Sequence, residues 1–275
     1  MLGGSVISDR DAIDILKDLR QDGRLIPFVG AGLSIPLGLP DWSTLIAFIA
    51  DQLDYDPEVF KLNGNDLQLA QYYVAKMGIG KLRSEMDRQF NPSDAQIRNS
   101  RAHTALVEMK LPLIYTTNYD RIIERAFGLK GTACHAVANL DDIVAAPVDA
   151  TTQIVKLHGT FDDDGSLVLT ETSYFDRLEF ESPIDIKMRA DILGKTLLFI
   201  GYSLSDINIR YMLYKLYKMR KQMRREASRS HSAFLTTFGS NVIQSTLLAE
   251  WNISIVDLDP VDSTESLAGF LEELM

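Results

Sequence analysis

At 275 residues, with 46% hydrophobic and 24% charged residues, the chain has an ordinary globular composition and the length to bury a full core. A net charge of −10 argues against a general nucleic-acid coat, and a single cysteine, Cys134, excludes a disulfide framework and any four-cysteine zinc site. The start, Met1-Leu-Gly-Gly-Ser-Val, lacks the basic residues and apolar core of a signal peptide, and no apolar run reaches membrane-spanning length, so the expectation is a soluble cytoplasmic protein.

In chain order, Asp9 to Arg20 carries Ile13, Leu16 and Leu19 at helical spacing, with Ser8 as its cap. Leu25 to Val29 is a short apolar run that reads as a buried strand. It ends in Gly30-Ala31-Gly32, followed by Ser34, Gly38 and Pro40. A strand entering a glycine-rich turn is how doubly wound α/β proteins approach a diphosphate. The third glycine of the dinucleotide fingerprint and the Gly-Lys-Ser/Thr of a P-loop are both missing, so a plain strand-to-helix turn stays open at this point. Trp42 to Leu53 resumes a helical pattern, and Pro57 to about Met109 continues it with breaks near Gly64, Gly78 and Pro92. That stretch is too long for a crossover and predicts a helical insert at about 57–109 on one face of the sheet.

The second strand is predicted over Leu113–Thr117, running into Thr116-Thr-Asn-Tyr-Asp120 and then a helix through Ile122, Ile123 and Ala126. Residues 129–150 are weakly patterned and read as a hairpin or loop. A third strand, Gln153–Leu157, stops at His158-Gly159, with a short further strand predicted at Leu167–Leu169. Glu171–Leu193 is mostly helical, interrupted at Pro183. The apolar strand Thr196–Ile200 ends in Gly201-Tyr-Ser-Leu-Ser-Asp206, and a long helix follows. Ala233–Thr237 and Ile253–Asp257 complete a predicted set of six strands, each followed by helical sequence. The alternation predicts one α/β domain over 1–275: a doubly wound, Rossmann-like, six-stranded parallel sheet with an inserted helical layer.

Four of these strands end in Gly30-Ala-Gly32, Thr117-Asn-Tyr-Asp120, His158-Gly159 and Gly201-Tyr-Ser203. In an open parallel sheet the carboxyl ends lie along one edge, so the four motifs converge on one cleft. Any one alone has a plain structural reading: Asp120 and Asp206 at helix starts, His158 as packing. Their coincidence at the same end of separate strands is what points to a site.

In this order the motifs resemble the sirtuin family, and in particular its divergent sirtuin-like branch in bacterial antiphage defence. The correspondence runs through Gly30-Ala-Gly-Leu-Ser34, Pro40-Asp-Trp-Ser43, Thr116-Thr-Asn-Tyr-Asp120, His158-Gly159 and Gly201-Tyr-Ser203, over roughly residues 25–257. The departures matter too. The two Cys-x-x-Cys pairs of deacylating sirtuins are missing, Ser43 stands at the family's arginine, and Thr117 at its glutamine. The resemblance therefore implies hydrolysis of NAD+ to nicotinamide and ADP-ribose, as the toxic effector of a defence system, with NAD as substrate and no zinc. A deacylase or ADP-ribosyltransferase, or a non-catalytic nucleotide-binding module, are the alternatives.

By the same resemblance Gly30, Ala31, Gly32 and Ser34 hold the diphosphate. Asp41 and Trp42 join the NAD-binding set, with Trp42 over the nicotinamide ribose, and Gly201 and Ser203 border the adenosine ribose. Asn118 positions water or a ribose hydroxyl, and His158 acts as base or polariser. Asp120 either binds nicotinamide and steadies its loop, or simply favours the helix that follows. Implied partners are a second copy of the chain and a HerA-type ATPase/helicase; no membrane is involved. The basic stretch Lys215–His231, interleaved with Tyr211, Tyr214 and Tyr217, reads as a solvated amphipathic face, with a nucleic-acid or protein contact as the other readings.

Overall fold

The computed structural model describes residues 9–149, 151–202, 207–221, 232–239 and 242–275. Ser203, Asp206 and the 222–231 part of the basic stretch lie outside the described residues. The chain opens with α1 (Asp9–Gln21) and β1 (Leu25–Val29), then α2 (Trp42–Gln52), α3 (Pro57–Lys61), α4 (Asp66–Met77), α5 (Ile79–Gln89), α6 (Asp94–Asn99) and α7 (Arg101–Glu108). Next come β2 (Leu113–Thr116), α8 (Ile122–Leu129), β3 (Cys134–Val137), α9 (Leu140–Ala145), β4 (Thr152–Lys156), α10 (Glu171–Glu179) and α11 (Pro183–Asp191). The last part is β5 (Thr196–Ile200), α12 (Ile207–Lys221), β6 (Ala233–Phe238), α13 (Val242–Glu250), β7 (Ile253–Leu258) and α14 (Ser263–Glu273).

The strands form one parallel sheet in the order β3-β4-β2-β1-β5-β6-β7. β1 and β5 are buried at every residue, as central parallel strands covered on both faces must be. Their side chains alternate between two cores. Leu25, Val29, Leu198 and Ile200 meet α1, α7, α8 and α14, whereas Ile26, Phe28, Leu197 and Phe199 meet α11 and α12. Pro27, with no N–H to give, precedes the pairing of β1 with β2, which begins at Phe28. β1 leads to β2 on one side, and the chain later crosses back to set β5 on the other. The C-terminal ends of β1 and β5 are therefore the switch point of the sheet.

Among the described residues the sheet has seven strands, not the six expected. The extra one, β3, lies in the 129–150 segment read as a hairpin or loop. It is an edge strand with only Val137 buried, so it has no apolar run, and its register comes from backbone pairing with β4. The short strand expected at Leu167–Leu169 does not form. Leu167 and Leu169 are buried because they pack into the core of the helical insert, and no ladder pairs them. That core is separate from the two sheet faces and joins α2, α4 and α5 to Phe161, Leu167 and Leu169, with Trp42 packed against it. α7, by contrast, packs on the sheet itself through Ala102, Ala105, Leu106 and Val107. Among the described residues no helix is long and apolar enough to cross a membrane.

Candidate active site

The loops after β1 and β5 meet back to back at the switch point. Gly30 N–H donates to Ile200 C=O at 2.8 Å, and Gly32 N–H to Gly201 C=O at 2.9 Å. A Cβ on Gly32 would stand 2.7 Å from Gly201 Cα. One on Gly201, which has φ +71°, would stand 2.5 Å from Leu33 N. These three glycines are needed because two backbones cross where no side chain fits. The amides of Leu33 and Ser34 turn back to Gly30 C=O and Ala31 C=O. The loop's N–H groups are thus largely committed within the protein, and Ala31 is its exposed residue.

Ser34 is fully buried, and its hydroxyl lies 3.4 Å from His103 Nε2; Ser100 Oγ is 2.7 Å from His103 Nδ1. Burial pushes the His103 imidazole down to about 4. Ser34 therefore ties the glycine loop to α7. Asp41 caps α2 by accepting the Thr44 N–H at 2.8 Å, and that bond lowers its pKa. Trp42, the first residue of α2, is half-buried against the insert core.

β2 supplies the next wall. Thr116 Oγ1 donates to Val29 C=O at 2.8 Å and accepts the Asn118 N–H at 3.0 Å, bending the chain at the strand end. Asn118 is buried, with its Nδ2 donating to Gly30 C=O at 3.4 Å. Asp120 is buried too; its Oδ1 accepts the Ile122 N–H at 2.9 Å at the start of α8. Burial raises the Asp120 pKa against the lowering pull of Lys156.

His158 closes β4. Gly159 takes φ +84°, and a Cβ there would meet Ser166 C=O at 2.2 Å, so only glycine allows the turn. Val168 N–H donates to His158 C=O at 3.0 Å. The imidazole is 6% exposed and packs against the rings of Tyr174 at 5.3 Å and Tyr119 at 6.2 Å. Burial, with a smaller push from the Arg177 guanidinium, drives its pKa down to about 3, so the ring is neutral at neutral pH.

The fold therefore brings Gly30, Gly32, Gly201 and Asn118 into direct contact at one edge. His158 adjoins them through Thr117, with which it shares a cavity of about 20 Å³ also lined by Phe28, Arg177 and Met212. It sets the Ser34 hydroxyl and the Asp41 carboxylate to other tasks. Sequence reasoning did not single out Tyr202, Arg177 or His103. Tyr202 lies across the strand ends, its hydroxyl donating to Val29 C=O at 2.8 Å and standing 2.9 Å from Thr117 Oγ1, its ring on Phe28 and Phe199. It sits inside the Gly201-Tyr-Ser203 motif, which was the signal available. Arg177, 2.8 Å from Ser182 Oγ and paired with Asp185 at 3.3 Å, lies in the last turn of α10 with no motif around it.

On the other side of the glycine loop lies a cavity of about 310 Å³, lined by Gly32, Leu33, Ser100, Arg101, Phe238 and Ser263 among others. It is walled by the N-terminal ends of α7 and α14 and the carboxyl end of β6. Arg101 in its wall is held by Glu265 and Glu272 of α14.

A family model described as a SIR2-like domain matches residues 112–256. NAD(+) hydrolase ThsA of Cytobacillus dafuensis is 29% identical over 240 residues, 86% of this chain and 46% of that protein. Defense-associated sirtuin 2 of Bacillus subtilis is 26% identical over 288 residues, 97% of this chain and 27% of that protein. A solved structure of a Sir2 homolog–NAD complex superposes with a TM-score of 0.46 and 16% identity over 95% of this chain and 91% of that one. The chain spans about half the length of the curated NAD(+) hydrolases it matches.

Proposed function

The chain belongs to the SIR2-like family, and from that premise we propose that it is an NAD+ glycohydrolase of antiphage defence, releasing nicotinamide and ADP-ribose. The observation that carries the reading is the meeting of the Gly30 and Gly201 loops, Asn118 and the His158 turn at the switch point of a parallel sheet. The names of the curated relatives, NAD(+) hydrolase and defense-associated sirtuin, support it.

The reaction breaks the bond between the ribose anomeric carbon and the nicotinamide nitrogen. Nicotinamide leaves neutral, positive charge develops on the ribose, and water attacks that carbon and loses a proton. The adenosine side of NAD+ occupies the cavity beside Gly32 and Leu33, with the diphosphate passing over the exposed Ala31; the family resemblance assigns Gly201 to the adenosine ribose. The nicotinamide ribose reaches Asn118 and His158, and Trp42 closes that end from the insert. Asn118 offers an amide to the ribose or to water, and the neutral His158 is the proton acceptor or polariser. Asp120 steadies the Asn118 loop from beneath, and Ser34 supports the glycine loop through His103.

The rest of the reading is of one NAD-binding unit working in the cytoplasm without structural zinc, for which one cysteine leaves no ligand set. It acts as a homo-oligomer under a HerA-type ATPase/helicase partner. The exposed side chains of α12, such as Tyr214, and of the insert, such as Val59 and Leu62, are the contact surfaces. Nicotinamide release from NAD+, followed by chromatography, tests the function. His158→Ala and Asn118→Ala are expected to lower turnover by about 10²-fold or more, with circular dichroism unchanged. Wild-type rates in both, or turnover that needs an acyl-lysine peptide, refute it.

A further inference from the structure

β4 carries a lysine where its neighbours predict an apolar residue. Side chains alternate along the strand, so Lys156 shares a face with Ile154, which packs among Ile122, Ile123, Ala126 and Phe127 of α8. Lys156 is 1% exposed. Its Nζ donates to the Asp120 carbonyl oxygen and, at 2.8 Å, to Glu124 Oε1. A buried ion pair of this kind contributes little stability compared with apolar side chains of the same volume. Stability alone therefore does not account for a cation here.

Its position suggests another task. Lys156 lies two residues before His158, and the carbonyl it holds lies two residues after Asn118. One side chain thus links the two strand ends that carry the proposed reacting groups. The same loop is fixed at its start by Thr116 Oγ1, which holds the Asn118 N–H, and at its end by Asp120 Oδ1, which caps Ile122. Both of those bonds stay within the 116–122 segment. The Lys156 bond instead ties that segment to the β4 end, alongside the Leu157 N–H donating to Thr116 C=O and the Tyr119 hydroxyl donating to Val168 C=O, and it is the one of these made by a side chain of β4 itself.

We propose that Lys156 is a positioning residue: its ammonium fixes the 117–121 loop against the His158 strand and so sets the placement of Asn118 relative to His158. The catalytic part of this inference rests on the NAD+ reading; the structural part does not. Displacement of a reacting group by an ångström costs up to about 10²-fold in rate. Lys156→Met leaves Glu124 unpaired and takes a nearby cation from the buried Asp120 carboxyl, whereas Lys156→Met with Glu124→Leu removes both charges of the ion pair and separates positioning from the loss of that pair.

The two variants and the wild type are compared by thermal melting, by kcat and KM for NAD+, and by amide hydrogen exchange of the 117–121 peptide. The single variant is expected to melt lower and the double variant to recover most of that loss. Both are expected to keep a kcat at least about 10-fold below wild type, with KM changed far less, and both should exchange faster in the loop. A double variant with wild-type kcat and wild-type loop exchange overturns the proposal and makes Lys156 a stability element only. Wild-type protein without NAD+ turnover counts against the function, and loop exchange in the variants still decides the role of Lys156.

Discussion

Replacing Gly201 with alanine tests the back-to-back loops most directly. Gly201 sits at φ +71°, and its added Cβ would stand 2.5 Å from Leu33 N and 2.9 Å from Gly32 C. The left-handed backbone costs a non-glycine residue about 1–2 kcal/mol. Forcing a methyl against backbone in a packed site costs a further ~1–3 kcal/mol. The sum, roughly 2–5 kcal/mol, is a large share of the ~5–15 kcal/mol that stabilises a typical domain. At about 2–4 °C per kcal/mol for a chain of this size, Gly201→Ala should lower the melting temperature by ~4–20 °C. Gly131 is the control: it has φ +67°, but its Cβ would meet no atom within 4 Å. Gly131→Ala therefore incurs only the backbone part, about 1–2 kcal/mol. Calorimetry or urea unfolding of the two variants gives the comparison. If Gly201→Ala is no more damaging than Gly131→Ala, the close approach of the β1 and β5 loops is wrong.

Two further outcomes are expected. His103 and His158 are held near 4 and 3, below the ordinary 6.5, so the unfolded chain binds protons that the folded chain refuses. Stability is then fully present above pH 6.5 and falls as pH drops toward those values, by about 1.4 kcal/mol per pH unit for each histidine; in urea unfolding from pH 7 to 4.5, His103→Gln should flatten the slope by one such increment, and an unchanged slope speaks against a neutral buried ring. Tyr202→Phe removes the hydroxyl that Val29 C=O and Thr117 Oγ1 share, while Thr116 Oγ1 still serves that carbonyl, so the loss should be about 0.5–1.5 kcal/mol; a cost above ~3 kcal/mol would mean that the hydroxyl is structurally decisive.

The readable parts of the chain were those where burial leaves a periodic mark. β1 and β5 are covered on both faces, so each is a run of apolar residues between turn signals, and their ends carry the glycines that the backbone crossing demands. β3 left no such mark because one buried residue in four makes no pattern. Leu167–Leu169 left a misleading one, since three consecutive buried apolar residues read like a short core strand, whereas Leu167 and Leu169 are buried by packing into the insert core. At the site, shared position at the sheet edge could be read from topology alone, whereas side-chain direction could not. Ser34 stands in the glycine motif, yet its hydroxyl meets His103, 69 residues away. Tyr202 reaches Val29 across 173 residues. No local pattern encodes such pairings, which depend on how the strands are ordered.

Arg177 is where the fold and the proposed chemistry press on each other. Its guanidinium is part of the wall of the small cavity at His158 and lowers the proton affinity of that ring, second to burial. It is also the partner of Asp185, whose side chain is 2% exposed and which caps α11 with Ser182. Arg177→Met alone should destabilise strongly, about 3–5 kcal/mol, because it strands a buried carboxylate. Arg177→Met with Asp185→Asn removes both charges and keeps the side-chain volume, so most of that loss should return. With the positive charge gone, His158 should bind its proton more readily, and the acid limb of the pH–rate profile for NAD+ cleavage should move to higher pH. A general base acts best with a pKa near the working pH, so the double variant should also carry a better-matched base than the wild type. The measurement is kcat/KM for nicotinamide release from pH 3 to 8, a range that reaches down to the wild-type limb expected near 3. An acid limb that stays where the wild type has it would mean that Arg177 exerts no charge effect on His158.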